Sequence, residues 1–280
     1  MTAHVDVMDV VAQMKAAERA FVLATVVRTV SVTAAKAGAK AIIAPDGTVM
    51  AGWIGGGCAR GAVLKAARDA LEDGEPRMVS VRPENLLAEL GVKPGESREG
   101  VRFAANLCPS EGTMDVFVEP VLPHPSLVIF GASPVALSLA TQARPLGYHV
   151  TLAAHQADRP AAVDADALID GFVLGELHQA RRFVVVSTQG KGDEAALRAA
   201  LSIEASYHAF VGSRRKMAGL RERLIAQGIA AGALDRVKAP AGLDLGAITP
   251  EEIAMSILAE ITLERRRGQR GSPSGHGETA

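Results

Sequence analysis

Cysteine is scarce in this chain of 280 residues, with Cys58 and Cys108 the only two. Two thiols are too few to staple a secreted disulfide scaffold, and they suit free thiols in a reducing compartment. Excess charge of one sign is also missing, because 30 basic residues face 31 acidic ones and leave a net charge of -1. The chain therefore offers no electrostatic footprint for nucleic acid. No apolar run approaches the roughly 18 residues that a membrane span needs. The first residues carry Asp6, Asp9 and Glu18 among apolar positions, unlike the basic start and apolar core of a secretory signal. A cytoplasmic protein with no nucleic-acid partner and no membrane span is expected. The histidines fall into no HExxH or Cys/His zinc spacing, there is no GxSxG elbow for a Ser-His-Asp triad, and no internal repeat is visible.

What is present is a globular composition, 48% hydrophobic and 22% charged, on a chain long enough for two domains with real cores. Residues 1–122 read as an α+β domain. Val7, Val10, Met14 and Ala17 stand at helical spacing, and Phe21 to Arg28 is rich in β-branched residues. The run AIIA-PDG-TVMAGWI reads as a hairpin turning at Asp46-Gly47, and an alanine-rich helix follows Gly57 and stops at Gly74. Residues 83–112, with Pro94, Gly95 and Gly100, look loop-rich. Pro123 and Pro125 mark the boundary. Residues 126–267 then alternate buried strands with helices, the pattern of a Rossmann-like parallel α/β domain. Its last helix is announced by Thr249-Pro250-Glu251-Glu252, a capping box. Residues 268–280 carry no large apolar side chain and are expected to be a disordered tail.

Three constellations could carry chemistry. Gly55, Gly56 and Gly57 would let backbone amides approach a ligand at the start of the following helix, whose dipole would favour an anion and the thiolate of Cys58. The alternative is a tight strand-to-helix turn followed by a small buried cysteine. Cys108 lies in a loop ahead of a strand; facing Cys58 it could hold sulfur, a copper ion or a transient disulfide, and an unrelated pair of thiols is the other reading. Gly131-Ala132-Ser133-Pro134-Val135-Ala136 follows a strand and opens a helix, as a dinucleotide fingerprint does, with Gly131 as first glycine and Ser133 in place of the second. Ala153, Ala154 and His155 stand where a ribose-binding acid belongs, which argues against conventional NAD(P) binding. Gly212, Ser213 and Arg214 open another helix at a strand's carboxyl end, where a phosphate could be gripped or a solvated basic helix start could simply lie.

Taken in order, GAKAIIAPDGTVMAGWIGGGCARGAV, VFVEP, LVIFGASPVA, FVVVSTQGKGDEAAL, FVGSRRK and GLDLGAITPEEIAMSILAEI resemble the successive blocks of the XdhC/CoxI family over most of the chain. That resemblance implies a cysteine-bearing N-terminal domain ahead of a Rossmann-like domain. It implies a chaperone-like maturation factor, rather than a stand-alone enzyme, for a molybdenum hydroxylase of the xanthine or carbon monoxide dehydrogenase type. Such a factor would bind molybdenum cofactor, as molybdopterin or its dinucleotide form, and assist its sulfuration or insertion. Its partners would be a cysteine desulfurase and the client molybdoenzyme, and a homodimer through the N-terminal sheet is a further option. Cys58 and Cys108 match the family's two cysteines, Gly131 its first Rossmann glycine and Gly212 to Arg215 its GSRR block. On the reading of the residues themselves, Cys58 and Cys108 are the candidate thiol groups or metal ligands, and Gly55, Gly56, Gly57, Gly131, Ser133, Gly212, Ser213 and Arg214 the candidate cofactor contacts. The chain departs from the family pattern at Ser31 to Ala37, Cys108-Pro109-Ser110, Gly131 to Ala136 and Thr188-Gln189-Gly190-Lys191, marking a divergent member. The alternatives are an NAD(P)-dependent oxidoreductase and a copper- or sulfur-delivering metallochaperone for the same class of enzyme.

Overall fold

The computed structural model describes residues 6–31, 33–108, 111–175 and 180–266, with the side chain of Cys58 outside that description. The tail over residues 268–280 lies outside it too. The chain divides into two compact units, Met1–Pro123 and His124–Ala280.

The first unit begins with α1 (Val7–Ala16), where Asp6 Oδ1 accepts from Met8 N at 2.8 Å and caps the helix. β1 (Phe21–Val30) leads through Gly38 to β2 (Lys40–Ile43) and β3 (Val49–Gly52). The β2–β3 hairpin closes where Ala44 N donates to Thr48 O, with Gly47 at φ +85°. α2 (Gly57–Asp73) ends as its sequence foretells, on Gly74 at φ +76°. β4 (Arg77–Arg82), α3 (Glu84–Glu89), β5 (Ser97–Arg98), β6 (Val101–Ala105) and β7 (Thr113–Val121) complete the unit. The sheet order is β3-β2-β1-β7-β4-β6-β5, antiparallel except for the β4–β6 pair. One face is covered by the small side chains of α2 (Val63, Ala66, Ala67, Ala70), packed on Val22, Ala24, Val26, Val79, Val116 and Val118. Met14 of α1 packs with Phe21 and Ile42 in a second cluster.

The expectation of a loop-rich stretch over residues 83–112 is corrected here, since α3, β5 and β6 occupy much of it. The physical reason is visible in β6. All five of its residues are half-buried, so its sequence shows no alternation, and its pairing with β4 is a tertiary fact.

The second unit contains β8 (Ser126–Phe130), α4 (Pro134–Ala143), β9 (His149–Ala154), β10 (Ala167–Asp170), β11 (Arg182–Val186), α5 (Asp193–Leu201), β12 (Tyr207–Phe210), α6 (Arg214–Ala226), α7 (Ala231–Asp235), β13 (Val237–Lys238) and α8 (Pro250–Arg266). Its sheet is wholly parallel in the order β10-β9-β8-β11-β12-β13. Numbered within the unit this is the 3-2-1-4-5-6 order of a Rossmann fold, with the direction of winding reversing between β8 and β11. All five residues of β8 are buried, as befits a strand covered on both faces. Leu127 and Ile129 face α4 and α8, and Val128 and Phe130 face α5 and α6. Each large apolar side chain so buried contributes about 1.5–3 kcal/mol of transfer free energy. Ahead of α8, Glu252 N donates to Thr249 Oγ1 at 3.3 Å and Thr249 N donates to Glu252 Oε2 at 3.0 Å, the two bonds of a capping box. Two connections depart from helical crossovers among the described residues: β9–β10 carries only a short 3-10 turn, Gln156–Asp158, and β10–β11 carries no helix.

Candidate functional site

In the first unit the chain leaves β3 with Trp53 N donating to Lys40 O at 2.8 Å, buries Ile54, and then turns through the three glycines into α2. Gly55 sits at φ +103°, a left-handed conformation that favours glycine. Gly56 occupies the N-cap of α2 and brings no side chain to accept from the first-turn amides. Those amides therefore keep the capacity to receive an acceptor from outside the helix. Cys58 is the second residue of α2.

The second wall comes from the segment between β6 and β7. Asn106 N donates to Arg82 O at 2.6 Å, Asn106 Oδ1 accepts from Cys108 N at 3.0 Å, and Asn106 Nδ2 donates to Gly112 O at 2.6 Å. One carboxamide thus ties both ends of the loop that presents Cys108. Cys108 is exposed and unbridged. Gly55, Gly56, Ala59, Asn106, Cys108 and Met114 line one crevice of about 80 Å³. The structure therefore brings Cys108 to the glycine turn, although some fifty residues separate them in sequence. Among the described residues no group of three or more His, Cys, Asp or Glu side chains is placed to hold a metal ion.

In the second unit the remaining candidates gather at the carboxyl ends of the strands. Gly131, at φ +102°, is where β8 gives way to α4, and a Cβ there would lie 2.5 Å from Ser187 O and 2.7 Å from Thr188 Cα. Ser133 is the N-cap of α4: its Oγ accepts from Ala136 N at 3.1 Å and lies 2.6 Å from Ser187 Oγ. The hydroxyl at the position of the fingerprint's second glycine is thereby engaged by the protein itself. A crevice of about 40 Å³ lies here, lined by Gly131, Ser133, His155, Asp158, Thr188 and Lys191 among others. Lys191 Nζ and Asp158 Oδ1 pair at 2.7 Å beside it, and the His155 ring lies 5.3 Å from that of Phe172. β9 ends on Ala154 and His155 follows, so no carboxylate stands at the strand end itself.

Gly212 and Ser213 turn the chain from β12 into α6, and Ser213 Oγ accepts from Lys216 N at 3.2 Å. Arg214 is exposed on the first turn. Sequence reasoning missed the partner of the next basic residue but one. Lys216 Nζ pairs with Asp193 Oδ2 at 2.7 Å, while Thr188 Oγ1 and Gly190 N donate to Asp193 Oδ1. Burial works to raise the Asp193 carboxyl, but Lys216 and the Thr188 hydroxyl outweigh it and hold it below the ordinary carboxylate range. The signals were an acid on the first turn of α5 and a lysine within a basic cluster, neither of which names its partner. No described helix is long and apolar enough to cross a membrane.

Comparison with known proteins divides the chain in the same way. Residues 14–82 match the family described as "XdhC and CoxI family", and residues 127–261 match the "XdhC Rossmann domain". The first match includes the glycine turn and Cys58, whereas Cys108 falls between the two. A protein of Escherichia coli K12 named YqeB is 28% identical across 85% of this chain and 43% of its own length. A protein of Bacillus subtilis 168, named as a probable subunit of xanthine dehydrogenase, is 30% identical across 55% of this chain and 47% of its own length. The chain thus spans less than half the length of these curated relatives. A crystal structure titled as a xanthine dehydrogenase from Bacillus halodurans is 21% identical, with 95% of this chain and 98% of that one covered and a TM-score of 0.42. Two successive family matches, one over the glycine turn and one over the parallel sheet, place this chain in the XdhC/CoxI family.

Proposed function

We propose that this protein is an accessory factor for a molybdenum hydroxylase of the xanthine dehydrogenase type, which receives molybdenum cofactor as cargo and assists its sulfuration or insertion. The observation that carries the reading is the meeting of Cys108 with the Gly55–Gly56 turn in one crevice at a helix start whose cap residue has no side chain. The amides of α2 suit the anionic phosphate of such a cargo, and an exposed thiol suits its soft, sulfur-rich metal end. The relative named for xanthine dehydrogenase supports the client class. A cysteine desulfurase is the sulfur source this reading calls for, and carbon monoxide dehydrogenase is a related client.

The test is purification of the full chain from cells making the cofactor, with pterin released and read by fluorescence, alongside metal analysis. Wild type should carry pterin and molybdenum, Cys58→Ala and Cys108→Ala should each carry several-fold less, and client maturation should fall with them. Copper without pterin would replace this reading by that of a metallochaperone, and wild type without either would end it.

A further inference from the structure

We infer that Trp53 is the platform on which the planar ring of a pterin-class cargo stacks at the mouth of the Gly55–Gly56 crevice. The inference rests on the function proposed above and adds the residue that recognises the ring. Trp53 is the chain's single tryptophan and is 53% exposed, although an aromatic surface of that size is ordinarily covered in a folded protein. It is nevertheless held in place. Its amide is bonded to Lys40 O at the end of β3, Ile54 behind it is buried, and one edge of the indole lies against Gly56.

Size then decides where a ring can go. A crevice of about 80 Å³ has room for a tetrahedral anion or a few waters, whereas pockets that enclose whole organic ligands run to roughly 300–1,000 Å³. A bicyclic ring attached to a group seated in the crevice must therefore lie outside it. Gly56 is a lining residue of the crevice and lies beside Trp53. Its φ of -111° is accessible to any residue, and a Cβ there would meet only the indole, at 3.9 and 4.0 Å. Neither backbone strain nor crowding requires glycine at this position. Gly56 both lines the crevice and borders the indole, so the position that joins the two carries no side chain.

The experiment measures binding of 6-hydroxymethylpterin and its diphosphate to the full chain, by the anisotropy of pterin fluorescence, for wild type, Trp53→Phe and Trp53→Ala. A base stacked on an aromatic side chain is typically worth enough that its loss weakens binding roughly tenfold or more. Trp53→Ala should lose that factor for both compounds, Trp53→Phe should stay within a few-fold of wild type, and thermal melting should be alike for all three. Equal binding by Trp53→Ala and wild type overturns the inference. Cofactor content on purification separates the two levels: if wild type carries pterin and Trp53→Ala carries as much, the stacking role fails alone, and if wild type carries none, the proposed function fails and takes the stacking role with it.

Discussion

Lys216 reaches from the first turn of α6 to within 2.7 Å of the Asp193 carboxylate at the start of α5, and so joins the loops that follow β11 and β12. Asp193 is nine-tenths buried and keeps the Thr188 hydroxyl and the Gly190 amide as further donors. The Lys216 side chain is 38% exposed, so solvent screens the pair and its worth lies at the lower end for a charged hydrogen bond. Lys216→Ala should cost about 1–2 kcal/mol at pH 7 in urea unfolding. The folded-state pKa of Asp193 is lowered, so its stabilisation is complete above the unfolded carboxylate value and is lost as pH falls through the folded value. The wild-type and Lys216→Ala curves should therefore converge on acidification below about pH 4. A gap that persists undiminished in acid would assign the loss to packing over Phe210, whose ring centroid lies 5.4 Å from Lys216 Nζ.

Gly131 and Ser133 stand two residues apart and should respond differently to alanine. At Gly131 the new Cβ would be forced against the backbone of Ser187 and Thr188 at 2.5–2.8 Å, in a left-handed conformation. The strands β8 and β11 would have to part, at a cost of at least about 2–3 kcal/mol. Ser133→Ala removes a helix cap and the partner of Ser187 Oγ, a loss of about 1–2 kcal/mol. Thermal melting of the two variants checks the order, and a Gly131→Ala variant as stable as wild type would contradict the close approach.

The contrast also shows what can be read from sequence. The hairpin at Asp46-Gly47, the end of α2 at Gly74 and the capping box at Thr249 are local, each decided by a few adjacent residues. The wholly parallel sheet follows from strands such as Ser126–Phe130, apolar along nearly their whole length. By contrast β10 and β13 are short strands whose membership of the sheet depends on neighbours distant in sequence. The same limit applies to the sites. The glycine turn is a local signal, but the arrival of Cys108 beside it depends on β6 and β7 both being paired with β4. The meeting of Asp193 and Lys216 likewise depends on β11 lying beside β12.

Asn106 is the residue on which the Cys108 loop hangs. Its carboxamide binds the Cys108 amide and the Gly112 carbonyl at once, and alanine would release both. Asn106→Ala should cost about 1–2 kcal/mol and should speed hydrogen exchange at the Cys108 amide. Asn106→Asp keeps the acceptor for Cys108 N but loses the donor to Gly112 O, so it should preserve protection of that amide better than alanine does. Exchange that is equal in wild type and Asn106→Ala would show the loop to be held by other contacts.

Glu260 presents the sharpest stability test, because three donors from separate segments converge on one carboxylate in the interior. Tyr207 Oη donates to its Oε2 at 2.5 Å, Gly242 N to the same oxygen at 3.0 Å, and Lys238 Nζ to Oε1 at 2.9 Å. Burial alone would raise this carboxyl, and the three donors outweigh it and hold it low. The same arrangement pushes the Tyr207 hydroxyl far above its ordinary value, first by burial and then by the adjacent carboxylate. Glu260→Ala should cost about 2–3 kcal/mol, leaving a tyrosine hydroxyl and a backbone amide without their acceptor, and Glu260→Gln should cost less because it still accepts. The discriminating readout is the Gly242 amide. Gly242 packs so closely on α8 that a Cβ would fall 2.3 Å from Ser256 Oγ, so steric contact alone could hold that loop in place. If the carboxylate holds it, Gly242 exchange should rise steeply in Glu260→Ala and little in Glu260→Gln; if packing holds it, both variants should exchange as wild type does while still losing stability.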